Sequence, residues 1–376
     1  VNKPIDPSHP GDSQAQPAPS PPTLAVSGDR QFWRLSWMSA LAGALYGLLM
    51  RGVFGLLHNS SASAASGPML VSFLFLVPFV IGALTVYLQP RETRSAANAI
   101  LRPWLPMFLF LVGSALLLIE GSICIFMATP IFFAMSSIGG VLSWAILKTA
   151  KPSNGVVGSF LLLPLLGGVW ERNVPIADAV LVSERSVHVQ AAAPQIWQLI
   201  NNATAIQPDE MRAGWAYRIG VPYPQEALTV SSGGGRVRKL RWDKGVHFDE
   251  PILDWQENRY IRWKYDFAND SIPAAALDEH VTLGGKYFDL LDTSYRLTPD
   301  VDGTLMQIRV SYRVSTNFNF YAAWWAGLLV DNSADTILAF YKRRAEAASI
   351  MPGDAITLAA GEDRGVSVLM SSGAVE

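Results

Sequence analysis

Three places in the sequence carry residue types able to do chemistry. Asp278-Glu279-His280 sets an imidazole beside two carboxylates, just before the Gly284-Gly285 turn and a run carrying Tyr287, Asp289 and Asp292. One imidazole among several carboxylates is an acid–base group for proton transfer. Glu250 interrupts an alternating apolar row of Val246, Phe248 and Ile252, so its carboxylate must be paired, hydrogen-bonded or protonated. Two readings of it stay open. Either Glu250 faces a pocket and orients the polar head of a ligand, or Pro251 bulges the strand and turns Glu250 out to Arg238 or Arg241. Glu120, in Leu118-Ile119-Glu120-Gly121-Ser122, stands inside a long apolar run, where a charge is expensive and marks a function or a partner. Arg51 is the expected partner. At ~1.5 Å per helical residue it lies about 28 Å along the first apolar run, and Glu120 lies about 24 Å along the third. An Arg51–Glu120 pair tying two membrane helices together is the expectation, either structural or part of a polar conduit.

Other chemistries lack their residues. Cys124 is the single cysteine, so an internal disulfide framework and CxxC sites are excluded. No HxxxH or HxH spacing offers metal ligands, and no Ser or Cys stands in a nucleophile elbow. His188 and His247 are lone histidines on or beside strands, and Gly233-Gly234-Gly235 joins two strands as a hairpin rather than opening a helix around phosphate. No catalytic residue is therefore assigned, and neither a metal nor a cofactor is expected.

The elements that position these residues fall into two blocks. Half of the 376 residues are hydrophobic, 16% are charged, and the net charge of −2 gives no basic field for nucleic acid. Residues 1–29 are Pro-, Ser- and Ala-rich and read as a disordered leader. Residues 30–172 form a transmembrane region whose only acids are Glu92, Glu120 and Glu171. Apolar runs at about 32–57, 68–89, 104–127, 130–147 and 154–170 make about five spans, the last short enough to be re-entrant instead. Arg30 and Arg34 precede the first run, Arg91, Arg94 and Arg102 follow the second, and Lys148 and Lys151 follow the fourth. By the positive-inside rule the N-terminus is cytoplasmic, and five spans carry the C-terminal part to the periplasm of a bacterial inner membrane.

Residues 178–348 form the second block. A strand at 181–190, a short helix opened by Pro194, strands at about 227–231, 236–243, 245–254, 258–267, 286–298 and 304–315, and a long amphipathic helix over 319–347 make a helix-grip order: an α+β fold with a curved antiparallel sheet around its last helix. Residues 349–376 are small, polar and read as a disordered tail. The segment Val187-His188-Val189-Gln190-Ala191 with Ala193-Pro194-Gln195-Ile196-Trp197 resembles the opening of the START-like superfamily, the SRPBCC or polyketide cyclase/dehydrase type. The match continues at Gly245 to Ile252 with Trp255 and at Thr304 to Tyr312, and the whole is similar to bacterial proteins that fuse several membrane spans to such a domain. The resemblance implies a deep apolar cavity used by relatives for lipids, sterols, polyketides or quinones, and no fixed reaction.

Alternation along the strands gives the side chains that would line such a cavity. The rows are Val246, Phe248, Glu250, Ile252; Ile261, Trp263, Tyr265, Phe267; and Met306, Ile308, Val310, Tyr312, Val314, with Trp324 on the closing helix at the mouth or in lipid contact. Phe248, Glu250, Trp263, Tyr265, Phe267, Tyr312 and Trp324 are accordingly the expected ligand contacts. The function expected is membrane-anchored binding or presentation of a hydrophobic small molecule, of the lipid or isoprenoid class. Two rivals stand beside it: an enzyme using His280 with Asp278 and Glu279, or Glu250, and a non-catalytic subunit docking a membrane complex.

Overall fold

The computed structural model describes residues 26–59, 69–150, 152–171, 173–277 and 280–350. The expected leader up to residue 25, the tail beyond 350, and Asp278 and Glu279 lie outside the described residues. Helix α1, Val26–Asn59, begins inside the expected leader and covers the first apolar run. A π-helical turn, Ser72–Leu76, runs without a break into α2, Val77–Tyr87, so that Pro78, which has no N–H to give, follows directly on the widened turn. Then come α3, Ala96–Leu101, capped by the Ser95 hydroxyl, α4, Trp104–Leu116, α5, Ser122–Thr149, and α6, Asn154–Glu171. Among the described residues, three helical stretches, Ser36–Leu56, Ala96–Leu116 and Ser122–Thr149, are long and apolar enough to cross a membrane; Ser72–Tyr87 and Gly155–Glu171 are apolar but shorter.

The break between the third and fourth apolar runs is not where it was expected. The chain turns at 117–121, and α5 passes straight through Pro130. Helix α4 ends in a Schellman turn: Ile119 N–H bonds the Ser114 carbonyl at 3.0 Å, Leu118 N–H bonds Ala115 at 3.1 Å, and Leu118 itself is left-handed at φ +52°. Glycine is the usual occupant of that position, and a leucine there hides the stop. Glu120 consequently sits in a turn rather than within a span. Pro130 withholds an N–H from α5, yet the helix continues, with the Thr129 hydroxyl bonding the Ile125 carbonyl at 2.6 Å just before it.

Small residues set the packing of the bundle. A Cβ on Gly82 would lie 1.8 Å from the Ser136 carbonyl oxygen, and one on Gly139 would lie 1.9 Å from that of Phe79, so α2 and α5 meet backbone to backbone. Phe54, Phe73, Phe110 and Phe132 fill the space beside this crossing. Glu171, at the end of α6, is buried and accepts hydrogen bonds from Val71 N–H, Ser72 N–H and the Ser72 hydroxyl at 2.7–2.9 Å, a carboxylate on the amide-rich start of a helix. The C-terminal ends of α1, α4 and α6 and the N-terminal ends of α2 and α5 therefore gather at one end of the bundle.

The second block begins with β1, Asp178–Val189, followed by α7, Ala193–Asn201, the short β2, Asn202–Ala203, and the single turns α8, Pro208–Met211, and α9, Trp215–Arg218. Strands β3, Pro224–Ser232, β4, Gly235–Trp242, β5, His247–Gln256, β6, Tyr260–Lys264, β7, Phe288–Asp300, and β8, Gly303–Ser315, complete the sheet. All pairs are antiparallel, in the order β1-β8-β7-β6-β5-β4-β3-β2. Register shifts at Ile252/Asp254 and Leu290/Asp292 bend the middle strands. Helix α10, Asn319–Ile350, closes the concave side with Val330, Ala334, Leu338, Tyr341 and Ala345 buried. A curved antiparallel sheet gripping its C-terminal helix is the helix-grip arrangement.

Candidate functional site

The sheet domain rests on the gathered helix ends of the bundle. Tyr321 of α10 donates its hydroxyl to the Met127 carbonyl of α5 at 2.5 Å, and Ser122 donates to the Ile219 carbonyl at 2.6 Å. Phe126 packs its ring against Trp215 and Trp325, and Phe75 packs against Phe320. Met69, Val71, Leu74 and Phe75, from the start of the second apolar run, pack onto the core of the sheet domain.

Between the two blocks lies a cavity of about 290 Å³ whose wall comes from both. Phe73, Phe110 and Phe132 line it from the bundle, and Trp263, Tyr295 and Phe340 line it from the sheet and α10. Most of this wall is apolar, as hydrophobic ligands require. Charged groups stand at two places on it.

The first is deep in the sheet domain. Arg238 of β4 and Glu250 of β5 are direct partners across the ladder, and both are buried on the inner face. Arg238 donates through Nη1 to Glu250 Oε2, through Nη2 to the Tyr341 hydroxyl at 3.2 Å and through Nε to the Ile200 carbonyl at 3.1 Å, with its guanidinium 4.7 Å over the Trp263 ring. Burial pushes the Glu250 carboxyl up to about 7, against the pull of Arg238. Burial likewise raises the Tyr265, Tyr295 and Tyr341 hydroxyls, which stay protonated; Tyr265 shares a 2.7 Å hydrogen bond with Thr293. The two readings of Glu250 are resolved into a third. It pairs with Arg238 but inside the domain, because Pro251 stays in register with Val237 and does not turn the strand outward.

The second is the junction of the blocks. Arg51 Nε donates to Glu120 Oε1 at 2.5 Å and Nη2 reaches the Ile119 carbonyl at 3.3 Å. His280 Nδ1, from the segment between β6 and β7, lies 3.8 Å from Glu120 Oε2, and Cys124 of α5 stands beside both.

Of the residues expected to contact a ligand, Glu250, Trp263 and Tyr265 line the cavity. Four others stand elsewhere. Phe248 is buried among Trp242, Tyr265 and Phe267, filling one end of the domain rather than bordering space. Phe267 lies beyond the end of β6, its ring parallel to Tyr265. Tyr312 is packed on Phe288 under α10, and Trp324 is 55% exposed on the outer side of that helix. His188 and His247 sit at the surface, each 3.7 Å from an aspartate. Arg238, absent from the expected set, carried a legible signal: it shares the inward face of β4 with Leu240 and Trp242 at a spacing of two.

No protein-family profile and no curated protein matches the chain. Among solved structures it is similar to the ZhuI aromatase/cyclase from Streptomyces sp. R1128, with 14% identity over 46% of this chain and 99% of that one and a TM-score of 0.29. A norcoclaurine synthase point mutant from Thalictrum flavum covers 47% of this chain and 99% of its own at 12% identity and a TM-score of 0.27. A Thermus thermophilus protein covers 46% of this chain and 99% of its own at 15% identity and a TM-score of 0.29. The helix-grip description rests on the strand order and on α10 themselves.

Proposed function

We propose that the chain is a membrane-anchored module that binds and presents a hydrophobic small molecule of the lipid or isoprenoid class. The observation that carries this reading is the shared wall: Phe110 and Phe132 of the bundle border the same space as Trp263 and Phe340 of the helix-grip domain. A ligand leaving the bilayer reaches such a cavity without crossing water, and tethering keeps its local concentration high. The loop carrying Arg91, Arg94 and Arg102, and Lys148 near the end of α5, belong to the end of the bundle away from the sheet domain. With positive charge kept inside, this supports a cytoplasmic N-terminus and a helix-grip domain on the far side, the periplasm of a bacterial inner membrane.

Native mass spectrometry of the full chain, released from detergent, tests the reading. A retained hydrophobic adduct, lost in a folded Ala334→Trp variant that fills the cavity, is the expected result. A bare mass across lipid and quinone mixtures, or an adduct indifferent to Ala334→Trp, would reject it. One observation favours an enzyme instead: a cavity-facing carboxyl at about 7 is suited to acid–base work on a bound substrate. Ligand retained by Glu250→Gln, with its conversion abolished, would move the assignment there.

A further inference from the structure

The second polar place on the cavity wall has the makings of a site that the sequence spacing does not announce. Glu120, Cys124 and His280 each offer one ligand atom, and these atoms all lie within 4.8 Å of one another. The fold brings them together for separate reasons. The Schellman turn after α4 presents Glu120, the first turn of α5 presents Cys124, and the segment between β6 and β7 supplies His280, its ring beside Tyr287 at 6.1 Å. No local motif marks such a set, because its third member comes from the other block.

We propose that Glu120, Cys124 and His280 form a binding site for a single zinc-class divalent cation at the junction of the bundle and the helix-grip domain. The chemistry of the donors selects the ion. A thiolate, an imidazole and a carboxylate together suit Zn²⁺, whereas Mg²⁺ and Ca²⁺ want oxygen alone. The spacing agrees. Donor atoms on one tetrahedral zinc ion stand about 3.3–3.6 Å apart. His280 Nδ1 and Glu120 Oε2 are 3.8 Å apart, beyond a direct hydrogen bond and close to that separation. The separations to the Cys124 sulfur lie within 4.8 Å.

Arg51 leaves one carboxylate oxygen of Glu120 open to the site. Its guanidinium takes Oε1 of Glu120 and the Ile119 carbonyl, leaving Oε2 on the His280 side. Carboxylate ligands are commonly held by such an outer hydrogen bond, which fixes their orientation. The side chains of Glu120 and His280 are 16% and 12% exposed, so charge is poorly solvated there; the carboxylate and the thiolate match a divalent ion, and Arg51 on the far carboxylate oxygen leaves one positive charge in excess, which an anionic fourth ligand would offset. Three protein ligands leave a fourth position, as in open zinc sites. Because all three residues also line the cavity, that position is accessible to water or to a polar head on whatever the cavity holds.

The test uses the full chain in detergent. Metal content is measured after equilibration with Zn²⁺ and desalting; the stripped chain is then titrated with Co²⁺, reading the near-ultraviolet thiolate-to-cobalt band and the visible bands of tetrahedral cobalt. One equivalent of metal per chain is expected, with the same spectrum in His247→Gln, a surface histidine far from the cluster in the sequence. Cys124→Ser should lose the thiolate band, and His280→Gln and Glu120→Gln should weaken binding at least about tenfold. The unsubstituted stripped chain should unfold at a higher temperature with Zn²⁺ and be indifferent to Mg²⁺, a readout that needs no variant. Absence of stoichiometric metal in the folded chain, or an unchanged cobalt spectrum in Cys124→Ser, would overturn the site.

Discussion

Glu250 and Arg238 face each other across the β4–β5 ladder with both side chains inside the domain, 2% and 5% exposed. Two charges removed from water repay their desolvation only when every donor is used. Here the carboxylate, the Tyr341 hydroxyl and the Ile200 carbonyl share the guanidinium, and Trp263 covers its face. The pair therefore links β4 and β5 to α10 and to the end of α7, the elements that enclose the deep part of the cavity.

Breaking this pair from one side should be worse than removing it. At pH 8, where Glu250 is ionised in the folded chain, Arg238→Met strands a buried carboxylate and is expected to cost about 3–5 kcal/mol, while Arg238→Met combined with Glu250→Leu recovers most of that. Thermal unfolding of the full chain in detergent reads both. A single variant as stable as the parent would show that the pair contributes nothing to folding.

Stability should also depend on pH through Glu250. Its carboxyl titrates at about 7 in the folded chain against an ordinary 4.5, so the folded state holds a proton that the unfolded state has released. The resulting stabilisation is complete below about 4.5 and is lost as pH rises through about 7. Glu250→Gln should flatten the profile of unfolding temperature across that window. An unaltered slope would place the proton elsewhere.

Much of the helix-grip half was legible because each strand keeps a spacing of two between glycine or aspartate turns, and because Asn319 onward keeps one apolar face long enough to be a single helix. Arg238 was harder to read. In Arg236-Val237-Arg238-Lys239-Leu240-Arg241 the charges look like a solvated strand, and only its shared face with Leu240 and Trp242 puts it inside. Phe248 and Tyr312 sit in the expected inward rows, yet alternation fixes only a face; whether a side chain borders space or packs on a neighbour depends on rings several strands away. The bundle's share of the cavity wall, and the meeting of Cys124 with His280, join distant parts of the chain and leave no local pattern.

Arg51 and Glu120 should tolerate exchange but not a single reversal. Arg51→Glu sets two carboxylates at one partly buried point and should cost about 3 kcal/mol or more. Arg51→Glu with Glu120→Arg restores opposite charges and should regain most of the unfolding temperature, while still lacking cobalt binding because a metal ligand is gone. Failure of the exchange to rescue would argue against a direct pair.

Leu118 offers a stabilising change. Its left-handed backbone, at φ +52°, costs a non-glycine residue roughly 1–2 kcal/mol, and its side chain is 90% exposed and has little packing to lose. Leu118→Gly removes that strain but gives the unfolded chain more freedom, worth about 0.4–1 kcal/mol. A net gain of up to about 1 kcal/mol is expected, seen as a higher unfolding temperature with the Arg51–Glu120 pair intact. A clear loss would mean that the leucine side chain holds the turn through contacts outside the chain.

Gly82 should accept no side chain at all. Its missing Cβ is what lets α2 touch the backbone of α5, since a methyl group there would stand 1.8 Å from the Ser136 carbonyl oxygen, with no flexible atom to yield. Gly82→Ala must push the helices apart or shift one along the other, at a cost near the upper end of the usual 1–3 kcal/mol for overpacking. The displacement should reach further, because Phe73, in the π-helical turn that leads into α2, and Phe132 of α5 border the cavity. Retention of the native adduct is therefore expected to fall in Gly82→Ala, and to fall less in Gly52→Ala, where a Cβ would meet nothing within 4 Å. Equal retention in both would show that the bundle can loosen without the cavity registering it, and would detach ligand binding from the helical bundle.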